Sequence, residues 1–275
     1  MIDLPLLKNI IKKYDLAPKK SLGQNFILDQ NITDNIVTSS GLLAGQDVIE
    51  IGPGPGGLTR SILEKNPNKL VVIEQDDRCI QALKELKYHY PQLEIINGDA
   101  LQINIADLGL KNPKIIANLP YNIGTALLIN WLYNIGTWSS LTLMFQREVA
   151  KRIVADPGGK DFGRLSIIAQ LICDTEMHFE LGPEAFYPPP KVTSAVISLY
   201  PKKDQPSKDI LKSVELVCKV LFNQRRKMLR STLKQLHPDI DSLILNTDIS
   251  LTQRPEELSI EQFVQIAKNH RNISL

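Results

Sequence analysis

From residue 47 onward, short apolar runs alternate with longer stretches of mixed polarity in which apolar positions return every three or four residues. The short runs are 47–51 (DVIEI), 70–74 (LVVIE), 93–97 (LEIIN), 114–117 (KIIA) and 140–145 (SLTLMF). A short, nearly uninterrupted apolar run predicts a strand buried on both faces of a parallel sheet. The intervening stretches 57–65, 77–88, 124–134 and 147–154 carry helical spacing. Strands alternating with helices predict βαβ units with right-handed crossovers. After a flexible glycine-containing loop at 156–163, an apolar helical run covers 165–173. Strand patterns at 175–181 and 192–200, joined by a proline-dense turn, predict an antiparallel hairpin that completes one edge of the sheet. A polar linker at 202–208 follows, and only helical patterns remain to residue 275. The expected organisation is an α/β domain over 1–205, with seven mostly parallel strands and helices on both faces, and a small all-helical domain over 206–275.

Ahead of this alternation lies a basic arm with Lys12, Lys13, Lys19 and Lys20. It leads to a helix predicted over 30–39, with Asp29 as N-cap. Between arm and helix, 21–26 (SLGQNF) interleaves apolar residues with polar ones and a glycine, the pattern of a loop packed onto the body of the protein. A content of 43% hydrophobic and 23% charged residues fits an ordinary globular protein. No apolar run approaches the roughly 18 residues of a membrane span. The N-terminal residues lack the apolar block of a signal peptide, so the expected compartment is the cytoplasm. Cys79, Cys173 and Cys218 and the four histidines are scattered without metal-ligand spacing, and packing is the better reading for all of them.

The net charge of +2 is small, but its distribution is uneven. Lys219, Arg225, Arg226, Lys227, Arg230 and Lys234 fall on one stretch without an acid. Together with the basic arm they point to a polyanion bound at defined places. The bland alternative is the solvated face of an amphipathic helix built on Leu221, Leu229 and Leu233.

Candidate chemistry gathers at the carboxyl ends of the predicted strands, where open α/β sheets bind ligands. The first strand runs into 50–57 (EIGPGPGG). Gly52, Gly54 and Gly57 satisfy the dinucleotide spacing G-x-G-x-x-G. Gly52, Gly54 and Gly56 satisfy the tighter G-x-G-x-G preceded by an acid, Glu50. Either spacing lets the backbone approach a nucleotide-like cofactor closely. Glu74 ends the second strand, where a carboxylate can accept from both hydroxyls of a ribose. Asp99 follows the third strand and can accept from an adenine amino group. The fourth strand leads into Asn118-Leu119-Pro120-Tyr121. Pro120 fixes its own backbone angle and biases Leu119 away from helix. The amide and carbonyls of this turn can accept from an amino group, and the tyrosine ring can stack on a flat base.

In this order and spacing the features resemble S-adenosylmethionine-dependent methyltransferases that act on exocyclic amino groups of bases. The resemblance extends through 23–26 (GQNF), 146–150 (QREVA), 163–166 (GRLS), the pattern Phe186-x-Pro188-x-Pro190-x-Val192-x-Ser194, and 254–259 (RPEELS). Together these resemble the KsgA/RsmA family of small-subunit rRNA adenine N6-dimethyltransferases over about residues 19–265. The glycine turn carries one more proline and one more glycine than that family's pattern. The resemblance implies a Rossmann-like catalytic domain, S-adenosylmethionine as cofactor and no metal. It implies as substrate two adjacent adenines near the 3′ end of 16S rRNA, within the small (30S) subunit or its precursor. It places Asn25, Ile27, Gly52, Gly54, Gly56, Glu74, Asp99 and Asn118 at the cofactor. Asn118 and the Leu119 carbonyl would accept from the N6 amino group, with Pro120 shaping the turn. Tyr121 and Phe186 would stack on opposite faces of the base. Arg225, Arg226, Lys227, Arg230 and Lys234 would meet RNA phosphates. A monomer suffices for this reading.

Three other readings compete. Large-subunit rRNA adenine methyltransferases of the macrolide-resistance type share the acceptor motif, but 254–259 favours the small-subunit family. A non-catalytic RNA-binding assembly or transcription factor of the same fold has no need of an intact 118–121. An NAD-dependent oxidoreductase would require a hydride-transfer site beside the glycines, and none accompanies them.

Overall fold

The computed structural model describes residues 4–19 and 22–273 of the chain; Lys20 of the expected basic arm lies outside the described residues. The first elements are α1 (Leu7–Lys13), a two-residue strand β1 (Phe26–Ile27) and α2 (Gln30–Ser39). The Asp29 side chain caps α2 by accepting from the Asn31 amide, as the sequence predicts. Then follow β2 (Asp47–Ile51), α3 (Gly57–Leu63), β3 (Lys69–Glu74), α4 (Asp77–His89), β4 (Leu93–Asn97), β5 (Lys114–Asn118), α5 (Gly124–Tyr133), β6 (Ser140–Gln146) and α6 (Arg147–Val154). The five apolar runs become five strands in parallel register. The middles of β2, β3, β5 and β6 are buried because helices on the sheet exclude water from both faces, whereas β4 at the edge is only partly covered.

The chain continues through α7 (Arg164–Ile172), β7 (Cys173–Leu181), β8 (Phe186–Tyr187) and β9 (Ser194–Pro201). The sheet order is β4-β3-β2-β5-β6-β9-β7. β9 runs antiparallel to β6, with Gln146 opposite Ser194, and β7 forms the edge, as expected of the late strand pair. The order reverses between β2 and β5, which opens a crevice beyond their carboxyl ends. Outside this sheet, β8 pairs antiparallel with β1, placing Ile27 opposite Phe186. No apolar alternation announces a pair of two-residue strands. The pairing ties segment 22–27 down over the crevice, and so the expected packed loop finds its partner.

The last elements are α8 (Lys208–Asn223), α9 (Leu229–Leu236), α10 (Ile240–Leu243) and α11 (Ile260–Ile273). Two compact units emerge, residues 1–150 with 176–200 and residues 151–175 with 201–275. This differs from a single cut after 205, because the run around α7 belongs with the helices. In the second unit α7 buries Ile167, Ile168, Ala169 and Ile172, and Lys202 donates to the Gln170 carbonyl at 2.6 Å. The Arg225 guanidinium reaches the Lys160 carbonyl at 2.5 Å. The buried Asn269 of α11 holds the Leu243 and Leu245 carbonyls at 3.0 and 2.8 Å, closing the end of α10. No helix among the described residues is long and apolar enough to cross a membrane.

Candidate active site

The turn after β2 forms the floor of the crevice. Gly52, Gly54 and Gly56 all hold positive φ, at 66°, 55° and 89°. At Gly54 a Cβ would lie 2.9 Å from the Phe26 ring, so glycine lets β1 rest directly on the turn. Gly56 serves a different purpose. It is the left-handed cap of α3, and a Cβ there would lie 2.9 Å from Leu86 of α4. Helix packing explains that glycine, and it does not line the crevice. The space encloses about 870 Å³, counting the part open to solvent, and is lined by Asn25, Ile27, Gly52, Gly54, Asp99 and Asn118 among others.

Three carboxyl groups border this space: Glu50, Glu74 and Asp99. Glu74 accepts from the Gly54 amide at 2.9 Å through one oxygen, and from the Gln75 and Asp76 amides at 2.9 Å through the other. These bonds stiffen the turn against β3. Burial raises the Glu74 pKa, and the backbone amides oppose that shift by favouring the charged form. Asp99 is exposed and accepts from the Leu101 amide at 2.9 Å. Glu50 is only 1% exposed, and one of its carboxylate oxygens has no hydrogen-bond partner.

The acceptor motif begins at the end of β5. The Asn118 amide nitrogen donates to the Asn25 carbonyl at 3.0 Å, which leaves its oxygen as the free acceptor. The Pro120 carbonyl is taken by the Ile123 and Gly124 amides at 3.1 and 3.0 Å, starting α5. The Tyr121 hydroxyl is 2.5 Å from the Ser194 hydroxyl at the start of β9. Leu119, Pro120 and Tyr121 line the crevice beside Asn118. The structure therefore brings together an acidic pocket, an oriented amide oxygen and a half-buried tyrosine.

Residues 16–271 match the profile of the family described as ribosomal RNA adenine dimethylase. The chain belongs to this family. It is 48% identical over 271 residues to the ribosomal RNA small subunit methyltransferase A of Xanthobacter autotrophicus, covering 96% of this chain and 93% of that protein. The protein of the same description from Paracoccus denitrificans is also 48% identical, with 96% and 95% covered. Among solved structures, a dimethyladenosine transferase from Plasmodium falciparum superposes with a TM-score of 0.75 at 24% identity, covering 90% of this chain and 98% of that one. The 23S rRNA methyltransferase ErmE gives 0.67 at 22%, covering 90% and 100%. Both likenesses are of fold, a Rossmann-like methyltransferase.

Two of the expected site residues, Phe186 and Arg225, are not placed as the sequence reading implies. Phe186 is not brought to the crevice. The pairing of β8 with β1 turns its ring into the apolar cluster with Ile27, Ile36 and Val196, and only 5% of it is exposed. The basic stretch is not one helix: α8 ends at Asn223 and α9 begins at Leu229. Arg225 lies in that break, half-buried, bound to the Lys160 carbonyl and 3.9 Å from Glu256. Arg226, Lys227, Arg230 and Lys234 are exposed.

Three supporting residues, Asp76, Arg78 and Ser194, have no role assigned by the sequence reading. Asp76 is buried two residues past Glu74 and accepts from Gln24 at 3.1 Å and from Arg78 at 2.8 Å. The Arg78 guanidinium holds the Asp76 carboxyl well below the usual carboxylate range. Arg78 also donates to the Asp15 and Ala17 carbonyls at 2.9 and 3.1 Å, so the pair fastens the segment that covers the crevice. Ser194 closes the family pattern that begins at Phe186 and was given no role. In the structure Asp76 also caps α4, and its bond to Gln24 spans 52 positions and leaves no local signal in the sequence.

Proposed function

We propose that this protein transfers methyl groups from S-adenosylmethionine to the N6 amino groups of two adjacent adenines near the 3′ end of 16S rRNA, in the small ribosomal subunit or its precursor. The observation that carries this reading is the Asn118 amide. Its nitrogen is held by the Asn25 carbonyl, so its oxygen is presented at the crevice beside Tyr121.

The crevice fits the cofactor by its chemistry. It offers buried carboxyl groups to a ligand that carries cationic groups, and Glu74 retains lone pairs for ribose hydroxyls. The same acids disfavour the pyrophosphate of a dinucleotide, which separates the two glycine spacings. When bound, the cofactor supplies a methyl already activated on a sulfonium. Asp99 is the proposed partner of its adenine, and Asn25, Ile27, Gly52 and Gly54 shape the wall around it. Gly56 contributes by fixing α3.

The chain's own task is to prepare the nucleophile. The N6 lone pair of adenine is delocalised into the ring and must gather on nitrogen before attack. Acceptance of N6–H bonds by the Asn118 oxygen favours that form and stabilises the positive charge that develops on nitrogen. With the Pro120 carbonyl already committed to α5, the Leu119 carbonyl is the proposed second acceptor. Tyr121 provides the stacking face for an extruded base. The remaining contribution is alignment of methyl and nitrogen. Exposed Arg226, Lys227, Arg230 and Lys234 are the proposed phosphate contacts of the helical unit. One chain carries all of these parts, so a monomer suffices, and a ribosomal substrate implies work in the cytoplasm.

The test is incubation with labelled S-adenosylmethionine and unmodified small subunits, followed by mapping of the product nucleotides. Label on the N6 atoms of two neighbouring adenines is expected. Label on large-subunit RNA alone, or none on adenine, overturns the reading.

A further inference from the structure

Glu50 stands on β2 between Val72 of β3 and Ile116 of β5, in the middle layer of the sheet. A carboxylate placed there is costly, because it leaves water without gaining a counter-ion. It lines the crevice and is 1% exposed, and its Oε2 atom meets no donor. The groups that face it do not supply the missing charge. From β3 comes Glu74, a second acid. From α3 comes the Thr59 hydroxyl, a neutral group that eases the burial of the carboxyl without bringing a charge. Asp99, beyond β4, is the third carboxyl of the crevice. No lysine or arginine is among the described lining residues. A carboxyl in such surroundings is stable in only two ways, as the neutral acid or beside a cation brought by a ligand.

We propose that Glu50 is a cofactor-recognition residue that holds a proton while the crevice is empty and releases it to solvent when a ligand bearing a sulfonium or ammonium charge enters. The inference rests on the cofactor reading above and adds a proton exchange to it. Burial pushes the Glu50 carboxyl up to about 8; Thr59 opposes the shift, and the negative charge of Glu74 adds to it. Near pH 7 the empty site is therefore mostly in the neutral form. The entering cation takes the place of the proton, and the ligand is bound by a carboxylate whose ionisation it has itself induced. The exchange conserves charge in the pocket: one positive charge enters and one proton leaves.

Two consequences follow from linkage. Cofactor affinity should rise as pH climbs toward 8, by up to about tenfold per unit, and level off above it. The stability of the empty protein should run the opposite way. The folded pKa lies above the unfolded one, so the contribution of Glu50 falls as pH rises from about 4.5 to about 8.

Calorimetric titration of the wild-type protein with S-adenosylmethionine at pH 7, in phosphate and in Tris, measures protons released on binding. Glu50→Gln keeps the shape and removes the proton, and its empty form should melt higher than wild type at pH 8 with a smaller difference at pH 5. The wild type is expected to release more protons than the variant, by a margin approaching one. Equal release, with the same pH slope of affinity in both, overturns the proposal while leaving the cofactor assignment intact. Wild-type protein that binds no S-adenosylmethionine removes the cofactor reading and this inference with it. Infrared difference spectra of the wild type alone give an independent readout. Loss of a protonated-carboxyl band on cofactor addition supports the exchange, and an unchanged band refutes it.

Discussion

At the scale of single residues, the proposed function separates cofactor duties from acceptor duties, and substitutions should separate them too. Glu74 bonds the glycine turn and faces the crevice, so Glu74→Ala is expected to weaken S-adenosylmethionine binding by about 10–100-fold, the range for losing bonds to a charged acceptor. Tyr121→Ala should leave that affinity unchanged and lose turnover, at about 1–3 kcal/mol for a missing stacking face. Calorimetry beside single-turnover rates distinguishes the two, and equal cofactor affinity for wild type and Glu74→Ala would contradict the assignment. Ser194 is a positioning residue in this arrangement, because its hydroxyl bonds the Tyr121 hydroxyl. Ser194→Ala should lower kcat several-fold without altering cofactor affinity. Tyr121→Phe should cost no more on that background than the serine change alone, since both remove one bond. Additive losses would show that Ser194 acts by another route.

At the scale of elements, the break between α8 and α9 changes what the basic stretch is expected to do. Arg226, Lys227, Arg230 and Lys234 point to solvent, and each replacement should flatten the plot of log K against log salt for RNA binding by about 0.7–0.9. Arg225 is different. Bound to the Lys160 carbonyl, it should cost thermal stability when replaced by alanine, with little change in that slope. An unchanged slope after replacing all four exposed residues would return them to an ordinary solvated surface. The break itself was hidden in the sequence because Leu221, Leu229 and Leu233 keep helical spacing across it. All three are fully buried, so packing preserved the period while the backbone turned. The parallel strands were legible for the opposite reason: burial on both faces writes a continuous apolar run, and their limits fall within about a residue of expectation. Within the site, Glu74, Asp99 and Asn118–Tyr121 were legible because strand ends place them. β1 paired with β8 was not, since two residues carry no period. That pairing is also why Phe186 reads as a ring for a base and is found in the core.

At the scale of the whole molecule, the expected end product is N6,N6-dimethyladenosine. An amino group offers two N–H donors, and after one transfer a single donor remains for the Asn118 oxygen to hold. Mass spectrometry of nuclease-digested RNA after exhaustive reaction should show the dimethyl nucleoside dominating, and persistent monomethyladenosine would refute the acceptor model. The bond from Asn118 to the Asn25 carbonyl also governs how that product accumulates. Asn25 belongs to the covering segment fastened by Gln24 to Asp76 and by β1 to β8, so whatever lifts the cover to renew the cofactor also frees the amide that grips the base. Synthesis should therefore be distributive, with the RNA able to depart between one methyl and the next. In a pulse of reaction chased with excess unlabelled substrate, singly methylated RNA should appear free in solution before the doubly methylated form. A second methyl that always arrives on the same encounter would mean that the grip outlasts the opening of its own lid.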